Sequence, residues 1–163
     1  MNETTPAQNT NRKYKWIAGC GGCALLLVVV GGIGAAIGIP AFINYTKRSK
    51  AVEARANVEA LAASYEGACL DGLLEPGFAA GPLPAVPHPE SQNVSFASDP
   101  NFARVGFNPG SIVRYSYSIR SLSPQSAEVR VEGDLDDDGV RSEYVMRCSA
   151  CECGELSVVA ELE

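Results

Sequence analysis

Beyond residue 50 the sequence contains no lysine, and it contains a single histidine throughout. Its lysines are Lys13, Lys15, Lys47 and Lys50, accompanied in the first fifty positions by Arg12, Arg48 and one acid, Glu3. Residues 51–163 carry seven arginines against 18 acids, a balance of −11. A domain of that sign repels phosphate, which excludes nucleic acid as a partner. There is no nucleophile motif and no phosphate-binding glycine loop at a strand–helix junction. No constellation for hydrolysis or group transfer remains, and the chain is expected not to be an enzyme. At 163 residues it is also too short for a large multidomain one.

Charge is missing altogether between Trp16 and Thr46. That run exceeds the ~20 residues that cross a bilayer core. A transmembrane helix is expected over 16–43, following a polar cytoplasmic tail over 1–15. A cleaved signal fits less well, because no polar small-residue cleavage region follows the apolar run. Ile17-Ala18-Gly19-Cys20 looks like a lipoprotein box but precedes the apolar stretch, so lipidation at Cys20 is set aside. The basic residues on the two sides balance and leave orientation undecided by charge. The even set Cys69, Cys148, Cys151 and Cys153 suits an oxidising compartment. The carboxyl-terminal part is therefore placed outside, on a single-pass membrane protein with its amino terminus inside.

Gly34 and Gly38 form a GxxxG, which either packs helices in lipid or reflects the ordinary frequency of glycine in membrane helices. Pro40 is expected to bend the helix. Beyond it Ala51, Ala54, Val58, Leu61, Tyr65 and Ala68 recur at spacings of three and four, the seam of an amphipathic helix over 44–70. Glu53, Arg55, Glu59 and Glu66 fall off that seam and read as a solvated face.

Residues 71–110 are rich in proline and glycine and read as a long loop. Leu83 to Pro89, with Pro84 and Pro87 between, cannot form a regular helix or a central strand. His88 lies there among prolines and is given no role. The period then changes to two. Val113 to Ile119, Ala127 to Val131, Tyr144 to Cys148 and Leu156 to Leu162 alternate apolar with polar positions. The expected fold class is α+β: a long transmembrane-plus-amphipathic helix packed on a four-stranded antiparallel sheet over 111–163.

Gly32-Ile33-Gly34-Ala35-Ala36-Ile37-Gly38-Ile39-Pro40-Ala41-Phe42, continued by Ile43 to Ala51, resembles the bacterial type IV pilins and pseudopilins. The resemblance is dense over 28–66 and architectural beyond. It implies a structural or interaction subunit of a type IV pilus or type II secretion-like system, whose partners are the membrane and other pilin-like subunits. It also implies a single pass in the inner membrane, with the carboxyl-terminal domain periplasmic or extracellular. In that family a glycine–phenylalanine cleavage site and a glutamate precede the proline. Here Ala18, Gly19 and Cys23 stand at those positions, which implies a pilin-like protein that is never processed. The alternative is an unprocessed, membrane-anchored ligand- or calcium-binding module that does not polymerise.

Asp134, Asp136 and Asp138 followed by Gly139 match the first half of a calcium loop, with Val140, Glu143 or Ser142 as further ligands. Calcium is the one cofactor the sequence suggests, and an acidic hairpin turn is the competing reading. The resemblance adds that pseudopilins hold calcium in a loop between late strands. Cys69, Cys148, Cys151 and Cys153 suit disulfides better than zinc in an exported domain, and four cysteines leave three pairings open. Cys20 and Cys23 lack a thioredoxin-like context. A membrane-tethered thiol oxidoreductase is accordingly a remote third reading.

Overall fold

The computed structural model describes residues 10–161, with side chains described over 26–161. The chain divides into two compact units, Met1–Ile43 and Asn44–Glu163. Helix α1 (Thr10–Leu70) is 61 residues long and contains Pro40. Residues 10–15, expected in a tail, are thus helical, as the good helix formers Arg12, Lys13 and Lys15 favour. Residues 1–9 of that tail, and the side chains of Ala18, Gly19, Cys20 and Cys23, lie outside the described residues.

In the first unit every side chain from Leu26 to Ile43 is exposed. Leu27 and Val28 reach 71% exposure, so this apolar surface has no cover within the unit. A helix of this length and composition can cross a membrane, a property that a secretory signal shares.

The second unit begins with the amphipathic part of α1. Ala54, Val58 and Leu61 are fully buried, flanked by Ala51, Ala62, Tyr65 and Ala68. The helix stops at a Schellman motif. Leu73 N–H donates to the Ala68 carbonyl at 2.9 Å and Gly72 N–H to that of Cys69 at 3.0 Å. Gly72 takes the required left-handed conformation at φ 69°, where a Cβ would be strained.

Strands β1 (Ala80–Leu83) and β2 (Gln92–Asn93) follow, then a 3-10 turn (Phe96–Ser98) and helix α2 (Pro100–Val105). Asp99 caps α2 by accepting from the N–H groups of Asn101 and Phe102. Next come β3 (Ile112–Val113), β4 (Ser116–Ser123), β5 (Ser126–Gly133), β6 (Ser142–Ser149), β7 (Glu152–Cys153) and β8 (Ser157–Val159). The main sheet has six antiparallel strands in the order β1-β4-β5-β6-β7, with β8 also on β6. A separate ribbon pairs β2 with β3.

The α+β class holds, but the four-strand count is corrected to six, and 71–110 is not a plain loop. Pro82 sits in β1, which is an edge strand and so tolerates a residue without an N–H. Phe96, Phe102 and Phe107 order the remainder. Phe96 meets Phe102, Phe107 and Tyr117 edge-to-face at 5.2, 5.7 and 5.5 Å. The final expected strand shrinks to Ser157–Val159.

The inner sheet face carries Tyr117, Ile119, Val129, Val131, Tyr144 and Cys148, all buried against the helix. Asn57 of α1 donates to the Tyr117 hydroxyl at 2.8 Å. At the end of β5 the Tyr115 ring lies so close over Gly133 that a Cβ there would collide with it.

Candidate functional site

The β5–β6 hairpin brings the three expected aspartates together. One carboxylate oxygen from each of Asp134, Asp136 and Asp138 lies within 4.8 Å of the others. The loop is built by its own side chains. Asp134 accepts from Asp137 N–H at 2.8 Å and Gly139 N–H at 3.2 Å, and Asp138 accepts from Val140 N–H at 2.7 Å. Leu135 anchors the turn in the core. Carboxylates converging in this way offer hard oxygen ligands to a divalent cation.

Two features depart from the expected ligand set. Glu143 does not join the aspartates; its carboxylate lies 3.2 Å from Nη1 of Arg130 on the outer sheet face. Lys47 of α1 reaches the cluster instead, with Nζ 2.8 Å from Asp136 Oδ2. Its ammonium holds the Asp136 carboxyl below the usual carboxylate range. An ion binding here displaces a cation already supplied by the chain. Nothing in the spacing of residues 89 positions apart signalled this pair.

All four expected cysteines are bridged, as Cys69–Cys151 and Cys148–Cys153. The first ties the end of α1 to the two-residue turn between β6 and β7. Ala150 and Cys151 form that turn with φ of 51° and 65°, positions that usually take asparagine or glycine. Glu66 adds a hydrogen bond from the helix, accepting from Cys153 N–H at 2.6 Å.

The off-seam charges of α1 are not simply solvated. Glu53 lies 3.5 Å from Arg114, Arg55 pairs with Glu161 at 2.9 Å, and Glu66 holds β7. What faces solvent is a stripe that the charge pattern concealed. Val52, Ala56, Ala60, Ala63, Gly67 and Leu70 are all exposed. At 100° per residue they share an arc of about 80°, opposite the buried seam and flanked by Arg55 and Glu59. Spacings of three and four among small residues were the signal. In the first unit Gly34 and Gly38 likewise border open space, where an added Cβ would meet nothing within 4 Å.

The chain was compared with protein-family models, curated proteins and solved structures, and none of them matches.

Proposed function

We propose that this chain is a pilin-like, single-pass subunit of the inner membrane that packs against other pilin-like subunits through α1. It presents the acidic α+β unit outside the membrane, as part of a pilus or a type II secretion-like apparatus. The observation that carries the reading is the uncovered surface of the helix. Side chains 26–43 are apolar and exposed, and Val52, Ala56, Ala60, Ala63, Gly67 and Leu70 form a small-residue stripe on the segment that packs on the sheet. Small residues permit close backbone approach between helices. The resemblance over residues 28–66 names the kind of assembly.

The test is the intact mass of the protein in purified membranes and in sheared surface material, for the natural chain and for Ala60→Trp. A subunit of a filament appears in the sheared fraction with a mass lacking residues 1–18, and Ala60→Trp removes it from that fraction. A full-length subunit of a membrane apparatus stays in membranes but cross-links to neighbouring subunits, and Ala60→Trp abolishes the cross-links. A full-length mass with no cross-linked partner defeats the reading.

The aspartate cluster favours a second reading, a membrane-anchored calcium module. Calcium titration then gives saturable binding that Asp136→Asn and Asp138→Asn abolish, and Lys47→Met strengthens it by releasing Asp136. Absence of saturable binding in the millimolar range, where weak extracellular sites operate, eliminates it.

A further inference from the structure

The two disulfides are unequally accessible. Cys148 is 2% exposed, and Cys153, half-buried like Cys69 and Cys151, turns its Sγ to within 3.9 Å of the Ala62 carbonyl, so one sulfur of Cys148–Cys153 is buried and the other faces the helix. Cys69 and Cys151 instead stand in the wall of an open cleft of about 320 Å³, beside Tyr65, Leu74, Phe78 and Gln125. Glu75 is the one charged residue on that wall. Thiol–disulfide exchange needs a thiolate to reach a sulfur, so access separates two bridges of the same chain. The accessible one also has the larger consequence. It joins residues 82 positions apart, whereas the packed one spans 5. Among the described residues it is the covalent tie between α1 and the sheet.

We propose that Cys69–Cys151 is a redox-releasable latch, opened through the cleft by a dithiol reductant while Cys148–Cys153 stays closed. One thiolate of the reductant attacks the sulfur of Cys69 or Cys151 and forms a mixed disulfide. The other cysteine leaves as a thiolate and takes up the proton that the attacking thiol gave up. The second thiol of the reductant then closes on the mixed disulfide and expels the remaining cysteine. Two electrons pass, the bridge becomes two thiols, and the reductant becomes a disulfide. Opening is local. The hairpin of β6 and β7 remains closed by Cys148–Cys153 and by its pairs Cys148↔Cys153 and Ser149↔Glu152. The last turn of α1 and the 71–79 segment lose their covalent hold, while the Glu66 hydrogen bond and the packing of Cys153 on Ala62 still join helix to hairpin. The latch rests on the cross-links and the cleft, independently of whether the chain assembles.

The test titrates the full chain in detergent micelles with dithiothreitol, quenches with an alkylating reagent and maps the labelled peptides. Cys69 and Cys151 are expected to take label at about tenfold lower reductant than Cys148 and Cys153. At that reductant level, amide exchange over 66–79 and at Ala150 and Cys151 accelerates while β4, β5, β6 and β7 keep their protection. The double variant Cys69→Ser, Cys151→Ser is expected to show the same exchange pattern without reductant. Labelling of Cys148 and Cys153 first, opening of both bridges together, or unchanged exchange after selective opening overturns the latch. If the double variant does not fold, the titration of the natural chain decides alone.

Discussion

Gly133 shows how one missing side chain positions a corner of the sheet. It closes β5 opposite Ser142, and the ring of Tyr115 occupies the space a Cβ would need. The ring itself is fully buried and meets Tyr144 edge-to-face at 6.2 Å, so it has little freedom to retreat. Ser142 adds to the crowding, with its hydroxyl 2.9 Å from the same Cβ position. Gly133→Ala is therefore an overpacking substitution at the root of the aspartate hairpin. It is expected to cost about 1–3 kcal/mol, read as a lower midpoint in urea at unchanged slope. Tyr115→Leu in the same chain is expected to recover part of that loss by vacating the space. The sequence shows nothing of this contact, because Tyr115 lies in the bend between β3 and β4 and only the folded sheet brings it over Gly133.

At the scale of elements, alternation and seam were legible, and long-range partnerships were not. The period-two runs around Val129 and Tyr144 became β5 and β6, and the three-and-four spacing from Ala51 to Ala68 became the buried face of α1. Local periodicity records which side faces the core. β1 was hidden because its proline, Pro82, suits only an edge, and the edge is defined by β4, some 36 residues later. The disulfide pairing was hidden because four cysteines in sequence carry no distances. The three aspartates were readable as a cluster. Lys47 and the desertion of Glu143 were not, because both depend on which neighbours the sheet supplies. The polar positions of β5 and β6 showed in the sequence only as one half of an alternation, yet they form a lattice. Arg130 lies 2.9 Å from Glu128, 3.1 Å from Glu132 and 3.2 Å from Glu143. The Glu128 side chain is only 8% exposed, so removing Arg130 leaves a desolvated carboxylate near two others, with Arg147 at 3.7 Å as a longer partner. Arg130→Ala is expected to destabilise the second unit by about 2 kcal/mol. Arg130→Met together with Glu128→Gln is expected to restore most of that loss. Chemical denaturation at pH 7 checks both statements.

The whole molecule joins a unit that cannot hide its apolar surface to one that can. Among the described residues, the buried core lies between Ala51 and Cys148, within the second unit. Both bridges fall inside it as well. Residues 44–163 alone are therefore expected to fold, remain soluble and melt within a few degrees of the full chain. The exposed stripe of Val52, Ala56, Ala60, Ala63, Gly67 and Leu70 bears on whether this fragment stays monomeric. Alanine and glycine offer little area, and a stable interface needs about 800 Å² from each partner. A single stripe one helix wide falls short of that. The fragment is thus expected to run as a monomer in size exclusion at micromolar concentration. The full chain in micelles is expected to associate, because its uncovered apolar segment adds the missing contact area. Gly34→Leu with Gly38→Leu should then weaken that association at least tenfold while leaving the melting of the second unit unchanged. Association of the fragment alone would move the main contact to the stripe. A monomeric full chain would remove helix packing as the basis of assembly.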